Sequence, residues 1–203
     1  MRAGKPRRFS MAAVTVLGIF ACIGGCGSPT THHYVLSPVV DASPGDPASP
    51  TARLVVGIGP VSIPPYLDRP QLVVRPAPDR IEVSEFGQWG EPVRDAVTRV
   101  VSINLARLLP ESRVVPFPWR SGEKVRYQVV LDIDQMDGPA EGDLVLDVQW
   151  RIIDGSGREI AARVSRVSEP AASGTMAAAM SRALGALSRD MARELEATAR
   201  RVP

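Results

Sequence analysis

The sequence has almost no cysteine, and both of its cysteines lie near the N-terminus. Among 203 residues, only Cys22 and Cys26 carry a thiol. The chain after residue 26 can therefore form no disulfide, no cysteine metal site and no cysteine nucleophile. That part is long enough to bury the core of one domain, and its stability must come from this core alone.

Histidine is also scarce, which removes the usual general bases and metal ligands. The only histidines are His32 and His33, side by side in a polar stretch. A general base there would have no rigid support, and two neighbouring imidazoles without further ligands do not make a metal site. The nucleophile-elbow, phosphate-loop and zinc-protease motifs are missing too. The sequence predicts no enzyme, no cofactor and no metal.

The sequence has no strong charge of either sign. Its 24 Lys and Arg and its 22 Asp and Glu give a net charge of +2. Four of the cations lie in the first eight residues, so 20 cations face 22 acids in the remainder. The four are Arg2, Lys5, Arg7 and Arg8. Binding to nucleic acid therefore has no electrostatic support.

A hydrophobic run long enough to cross a bilayer is missing as well. The apolar stretch Met11–Ile23 is shorter than the roughly 20 residues that a membrane-spanning helix needs. Behind its basic head, it is typical of a signal peptide. Two small residues then precede Cys26, as in a lipobox. We predict a lipoprotein signal peptide over residues 1–25, a diacylglycerol on the Cys26 thiol and a tether over residues 26–33.

Two alternatives remain at this end of the chain. Cys22 could accept the lipid, but Phe20 places a bulky ring where a lipobox has a small residue. A plain secretory signal with an incidental cysteine would also export the chain. The position of Cys26 at the end of the apolar run favours the lipoprotein.

Two segments carry an apolar stripe at helical spacing. The first spans residues 91–109, where Pro92 suits the first turn and Pro110 ends the helix. The second spans residues 173–200. Core packing is the simpler interpretation of the second stripe, and its methionines leave an adaptable partner surface as the alternative. The stripes consist of Val93, Val97, Val100, Val101, Leu105 and Leu108, and of Met176, Met180, Leu184, Leu187, Met191 and Leu195.

Alternation of apolar and polar residues predicts the strands. Residues 125–167 are typical of three strands joined by short turns, an antiparallel meander with one buried face. Residues 53–59 are apolar and predict a strand buried on both faces. Shorter strands are predicted at 34–36, 71–75, 80–84 and 113–117. We expect a single α+β domain over residues 34–203, with a mixed, largely antiparallel sheet and two main amphipathic helices packed on it.

One long segment has little apolar surface. The stretch Ser37–Thr51 is rich in Pro, Ser, Asp and Gly. Such a composition cannot bury enough to order itself, so we expect a mobile loop at about 38–51.

Three aspartates near each other raise the question of paired carboxylates. Asp132 and Asp134 share one face of a predicted strand, where a solvated surface is the usual outcome. Asp137 is followed by Gly138, and this dipeptide is typical of a turn.

Two segments combine aromatic side chains with proline or glycine. Residues 60–71 contain four prolines, so residues 60–70 are not expected to form a regular ladder or helix. Residues 85–92 contain Phe86 and Trp89 and are expected to be a loop. Their aromatic rings either cap the core or form a contact surface, because stiff loops with Tyr, Trp and Arg make good interface anchors.

At these segments the sequence resembles the PqiC-like family, the auxiliary lipoproteins of intermembrane transport systems that contain MCE proteins. The resemblance extends to Tyr34-Val35-Leu36 and spans nearly the whole mature chain. It is carried by Ile58-Gly59-Pro60-Val61, by Ile63-Pro64-Pro65-Tyr66-Leu67-Asp68-Arg69-Pro70-Gln71, and by Trp89 and Glu91-Pro92 before Arg94-Asp95-Ala96-Val97.

The resemblance implies a role in binding a partner. Such lipoproteins dock onto an MCE protein that bridges the periplasm, in systems that move phospholipid or another hydrophobic molecule. Family members can form homo-oligomeric rings with the motif loops near the subunit contacts. The candidate partner contacts are Pro64, Pro65, Tyr66, Leu67, Asp68, Arg69, Trp89 and Glu91.

We therefore predict a non-catalytic lipoprotein subunit of an MCE-type lipid transport system, anchored by the lipid on Cys26. Gly27 follows the cysteine, and the absence of aspartate there favours the periplasmic face of the outer membrane over the inner membrane. The alternative is a regulatory or assembly lipoprotein for a cell-wall enzyme or a secretion complex. An envelope hydrolase is disfavoured, since no supported nucleophile is present.

Overall fold

The computed structural model describes residues 30–44, 49, 51–171 and 175–201. The predicted signal peptide and Cys26 lie outside the described residues. The residues after Thr30 form one compact unit. Its elements in chain order are β1 (His32–Tyr34), β2 (Val55–Ser62), β3 (Gln71–Ala77), β4 (Arg80–Trp89), α1 (Val93–Leu108), β5 (Arg113–Pro116), β6 (Tyr127–Asp137), β7 (Asp143–Asp154), β8 (Glu159–Pro170) and α2 (Met176–Arg201).

The described strands form two sheets. A five-stranded sheet has the order β5-β2-β6-β7-β8, and a three-stranded sheet has the order β1-β4-β3. Strands β6, β7 and β8 pair in antiparallel fashion, which confirms the predicted meander. Strand β2 pairs in parallel with both β5 and β6, as expected of an apolar strand in the middle of a sheet. The α+β class is confirmed, and the strands are divided between two mixed sheets.

Both helices pack on the five-stranded sheet and on each other. The stripe of α1 is buried except at Leu108, which is partly buried. All six stripe residues of α2 are buried. Its methionines, Met176, Met180 and Met191, are 6%, 1% and 0% exposed. They fill the core, so the core interpretation of this stripe is confirmed.

Strand β2 continues past Pro60, where no regular ladder was expected. Its last two residues pair with β6 after a shift of register that follows Ile58. Such an irregularity accommodates the missing N–H of proline. Gly59 supplies a positive φ of 109°, which side chains larger than hydrogen rarely permit. The prediction for residues 60–70 was therefore wrong at its beginning.

Strand β4 extends through Trp89, although residues 85–92 were expected to be a loop. Its end pairs in parallel with β1, which places His32 opposite Gly87. The prediction was wrong because the partner strand is distant in sequence and too short to show alternation. Strand β1 also begins inside the expected tether of residues 26–33, two residues earlier than predicted.

The described part of the segment at about 38–51 has no regular strand or helix, but it packs on α1. Val40 is 2% exposed. Its C=O accepts a hydrogen bond from the Arg107 guanidinium at 3.1 Å, and the Ser43 N–H donates to the C=O of Arg107 at 2.8 Å. The expectation of little burial was wrong at Val40, because the helices offer partners that composition does not reveal. Residues 45–48 and 50 lie outside the described residues.

Candidate partner-binding site

The proline-rich loop after β2 is fixed by two buried side chains. Ile63 and Leu67 are 7% and 4% exposed. The N–H of Leu67 donates to the C=O of Pro64 at 2.9 Å, which closes a tight turn. The loop therefore presents the residues that follow, Asp68 and Arg69, from a defined position.

A buried carboxylate, Asp137, ties this loop to both sheets. It lies at the end of β6 and is fully buried. Its oxygens accept hydrogen bonds from the Tyr66 hydroxyl at 2.7 Å, from the Arg75 guanidinium at 2.8 and 3.2 Å, and from the Gln135 amide at 2.9 Å. Arg75 also lies over the Tyr66 ring, with its guanidinium carbon 5.2 Å from the ring centroid. The cation and the hydrogen bonds together compensate the burial of the carboxylate.

These contacts shift the titration of Tyr66 and Arg75. Burial, followed by the hydrogen bond to Asp137, raises the pKa of Tyr66 to about 12. The hydrogen bond to Asp137 likewise raises the pKa of the Arg75 guanidinium above its ordinary value. Both groups stay protonated at neutral pH, so the hydrogen bonds that hold the loop to Asp137 persist there.

A second set of contacts joins the end of β4 to the same loop. The Trp89 N–H donates to the C=O of Pro70 at 2.6 Å, and the Gly90 N–H donates to the C=O of Tyr34 at 2.8 Å. The Trp89 side chain is 8% exposed. Pro92 then directly precedes helix α1. The loop, the end of β4 and the start of α1 thus meet in one place.

Two ion pairs orient the first turns of α1 against these segments. Asp68 pairs with Arg94, with 2.5 Å between Oδ2 and Nη2. Glu91 pairs with Arg99 through both carboxylate oxygens, and this contact raises the pKa of the Arg99 guanidinium. Arg99 also donates to the C=O of Leu36 at 2.9 Å. Exposed ion pairs add little stability, so their main effect here is to fix the positions of the charges.

The three segments enclose a concavity of about 360 Å³, which we call the motif concavity. It lies in the size range of ligand-binding clefts. Its lining combines two prolines and a tryptophan with charged side chains, which is typical of an interface anchor point. The lining residues are Asp68, Arg69, Pro70, Trp89, Gly90, Glu91 and Pro92.

The structure brings half of the predicted contact residues together and places the others elsewhere. Asp68, Arg69, Trp89 and Glu91 line the motif concavity. Pro64, Pro65, Tyr66 and Leu67 belong to the same proline-rich loop but are not among the lining residues. Leu67 is buried in the core and Tyr66 holds Asp137, so these two side chains position the loop.

The other residues singled out from the sequence form no site. Asp132 accepts a hydrogen bond from Arg151 at 3.2 Å, and Asp134 accepts one from Gln149 at 3.0 Å. These contacts lie on the open face of the sheet, which confirms the solvated interpretation of both aspartates. Phe86 is 41% exposed and does not cap the core. Within the described ranges, no group of three or more His, Cys, Asp or Glu could hold a metal ion.

The sequence reasoning missed the Arg75–Asp137 pair. Asp137 was interpreted as a turn residue, but it is the buried last residue of β6. No local pattern could have found the pair, because 62 positions separate its members. Strand β3 contains one arginine and no other charged residue, which is a weak sign that this arginine needs an acidic partner.

These features coincide with a family match. The model of the ABC-type transport auxiliary lipoprotein component matches residues 34–192. The chain belongs to this family. The match includes both segments around the motif concavity, and it confirms the resemblance to the PqiC-like lipoproteins. No curated protein matches the chain with significant similarity. In the part of the chain that the structure describes, no helix is both long and apolar enough to cross a membrane.

Solved structures share the fold. The crystal structure of a Xanthomonas campestris protein of the DUF330 family aligns with a TM-score of 0.68 at 18% identity, covering 84% of this chain and 98% of that one. A second crystal structure, of an uncharacterized protein, aligns with a TM-score of 0.67 at 17% identity, covering 82% and 99%. A PelC dodecamer from Paraburkholderia phytofirmans aligns at only 0.42 and 11% identity, covering 75% and 90%, which is too distant to bear on the assembly of this chain.

Proposed function

We propose that this auxiliary lipoprotein is a non-catalytic subunit of an MCE-type lipid transport system, docking through the motif concavity on the MCE protein that spans the periplasm. A lipid on Cys26 would hold it at the periplasmic face of the outer membrane. The observation that carries the proposal is the convergence of Asp68, Arg69, Trp89 and Glu91 from two separate motifs on one surface. Family membership supports a transport-system partner.

The rigidity of the surface is a further support. The loop is held by Asp137, and the start of α1 is held by the Asp68–Arg94 and Glu91–Arg99 pairs. A binding surface that is ordered before the partner arrives loses less entropy on binding. These contacts hold the surface in a fixed shape, which favours the recognition of a partner.

Co-purification tests the docking. Tagged full-length protein is extracted from envelopes of its host with mild detergent, and bound proteins are identified by mass spectrometry. We expect an MCE-domain protein with the wild type, much less with Asp68→Lys, and wild-type recovery with Asp79→Lys. Both aspartates are exposed, so neither change should unfold the chain, but only Asp68 lines the motif concavity. If no MCE-domain protein is recovered with the wild type, the proposed function is wrong.

Membrane fractionation tests the anchor and its location. We expect Cys26→Ala to lose lipid labelling and to leave the membrane fraction, and Cys22→Ala to keep both properties. Gly27→Asp should move the protein from outer-membrane to inner-membrane fractions on a sucrose gradient. Lipid labelling that survives Cys26→Ala, or an unchanged gradient position of Gly27→Asp, would contradict this part of the proposal.

A further inference from the structure

Arg69 is the one charged group of the motif concavity that has no partner among the described residues. Asp68 is paired with Arg94, and Glu91 is paired with Arg99. Among the residues that the structure describes, the Arg69 guanidinium makes no ion pair, and its buried Nε finds no hydrogen-bond acceptor. The concavity therefore carries one uncompensated positive charge beside two carboxylates that are already neutralised.

Such a group is unfavourable in the free protein. A buried donor that has left water without finding an acceptor costs free energy, and a charged donor costs more. The proline-rich loop holds Arg69 in this position through its own buried anchors, so a half-buried cation with one unsatisfied donor is kept on a preformed surface. An unsatisfied buried donor in a native structure calls for an explanation, and an acceptor supplied by a partner to this guanidinium is one.

The surroundings indicate the chemistry of that acceptor. A guanidinium presents a planar fork that matches a carboxylate through two parallel hydrogen bonds. Trp89, Pro70 and Pro92 provide apolar surface next to it. A carboxylate carries the single negative charge that one free cation can compensate, whereas a doubly charged phosphate would leave a negative charge without a partner here.

We infer that Arg69 binds an aspartate or glutamate side chain of the partner protein, whose apolar neighbour packs against Trp89. The inference rests on the proposed function, because it assigns the chemistry of the segment that enters the motif concavity. The occupant is thus an acidic and apolar stretch of the MCE protein.

The inference predicts that replacing Arg69 weakens binding of the partner without lowering the stability of the free protein. Replacing Arg69 with methionine removes a buried donor that has no acceptor and breaks no side-chain hydrogen bond or ion pair within the described residues, so the Tm of the free protein should stay the same or rise. The same change should remove the one unpaired cation among the residues that line the motif concavity, and so weaken binding of an acidic partner segment. A residue with a merely structural role would lower the Tm.

Binding measurements on four proteins test this. The wild type, Arg69→Met, Arg69→Lys and Arg120→Met are titrated with the MCE-domain protein that co-purifies with the wild type. Arg120 is exposed and lies outside the concavity, so its variant is the matched control. We expect at least tenfold weaker binding for Arg69→Met, intermediate binding for Arg69→Lys, unchanged binding for Arg120→Met, and a Tm for Arg69→Met no lower than that of the wild type.

Each other outcome overturns the inference in a recognisable way. Equal binding of Arg69→Met and wild type removes Arg69 from recognition and leaves the proposed function standing. A change only in the native mass of the lipoprotein makes a second copy the occupant. Arg69-dependent binding to phosphatidylglycerol vesicles, with unchanged binding to the protein, makes a lipid headgroup the occupant. If the wild type itself binds no MCE-domain protein, the proposed function fails and the inference fails with it.

Discussion

At the scale of single residues, the candidate site depends on a buried side chain that does not line the motif concavity. Asp137 is fully buried and connects Tyr66 of the proline-rich loop with Arg75 of β3. A buried carboxylate of this kind fixes geometry, because each of its partners must stay in place to compensate it. The positions of Asp68 and Arg69 at the surface follow from this buried contact.

Replacement of Arg75 by methionine tests that role. The change leaves Asp137 buried without its cation, which should lower the free energy of unfolding by about 3 kcal/mol. Arg94→Met removes an exposed ion pair with Asp68 and should cost less than about 1 kcal/mol. Urea unfolding of both variants gives the comparison. Equal losses of unfolding free energy would show that the buried Arg75–Asp137 pair stabilises the fold no more than an exposed pair does.

The raised pKa of Tyr66 predicts a stability change at high pH. The pKa is about 12 in the folded chain, above the ordinary tyrosine value of about 10, so the folded state keeps the phenol proton that the unfolded state releases. This contribution is complete below pH 10 and is lost as the pH rises from about 10 to 12. The difference in Tm between wild type and Tyr66→Phe should therefore shrink over that interval. A Tm difference that stays constant from about pH 10 to 12 would contradict the raised pKa of Tyr66.

At the scale of elements, the turn between β6 and β7 decides where Asp137 lies. A Cβ on Gly138 would be 2.2 Å from the backbone oxygen of Asp143, and this oxygen cannot move without opening the turn. The C=O of Gly138 also accepts a hydrogen bond from the Arg75 N–H at 2.8 Å. The turn thus holds both members of the buried ion pair.

Gly138→Ala should therefore be costly for its size. We expect a loss of about 1–3 kcal/mol, the usual range for overpacking, measured by urea unfolding. Gly142→Ala, in the same turn, is the control, because its Cβ would approach only the Pro139 side chain, at 3.1 Å. If both substitutions lower the free energy of unfolding equally, the close approach to the Asp143 backbone oxygen is not the cause of the loss at Gly138.

Some elements could be predicted from the sequence and others could not. Both helices and the β6–β8 meander were predictable, because their apolar residues recur at the period of the element. The end of β4 was missed because its partner is the three-residue strand β1, whose sequence carries no period. The same limit applies to the Asp137–Arg75 pair, which depends on a tertiary contact.

At the scale of the whole molecule, two sheets and two helices position a small surface. The motif concavity draws on the loop after β2, the end of β4 and the start of α1. Resemblance to a family identified four of its lining residues, but not that Tyr66 and Leu67 support the loop. The sequence marked both segments, and only the fold separated the residues that line the motif concavity from those that support the loop.

Photocrosslinking in the living envelope tests the central claim most directly. A benzophenone amino acid is placed at Pro92, which is exposed in the motif concavity, or at Val164, which is 78% exposed on β8. We predict an ultraviolet-dependent adduct with an MCE-domain protein from position 92 and none from position 164. Adducts from position 164 alone, or no MCE-domain adduct from position 92, would contradict the account.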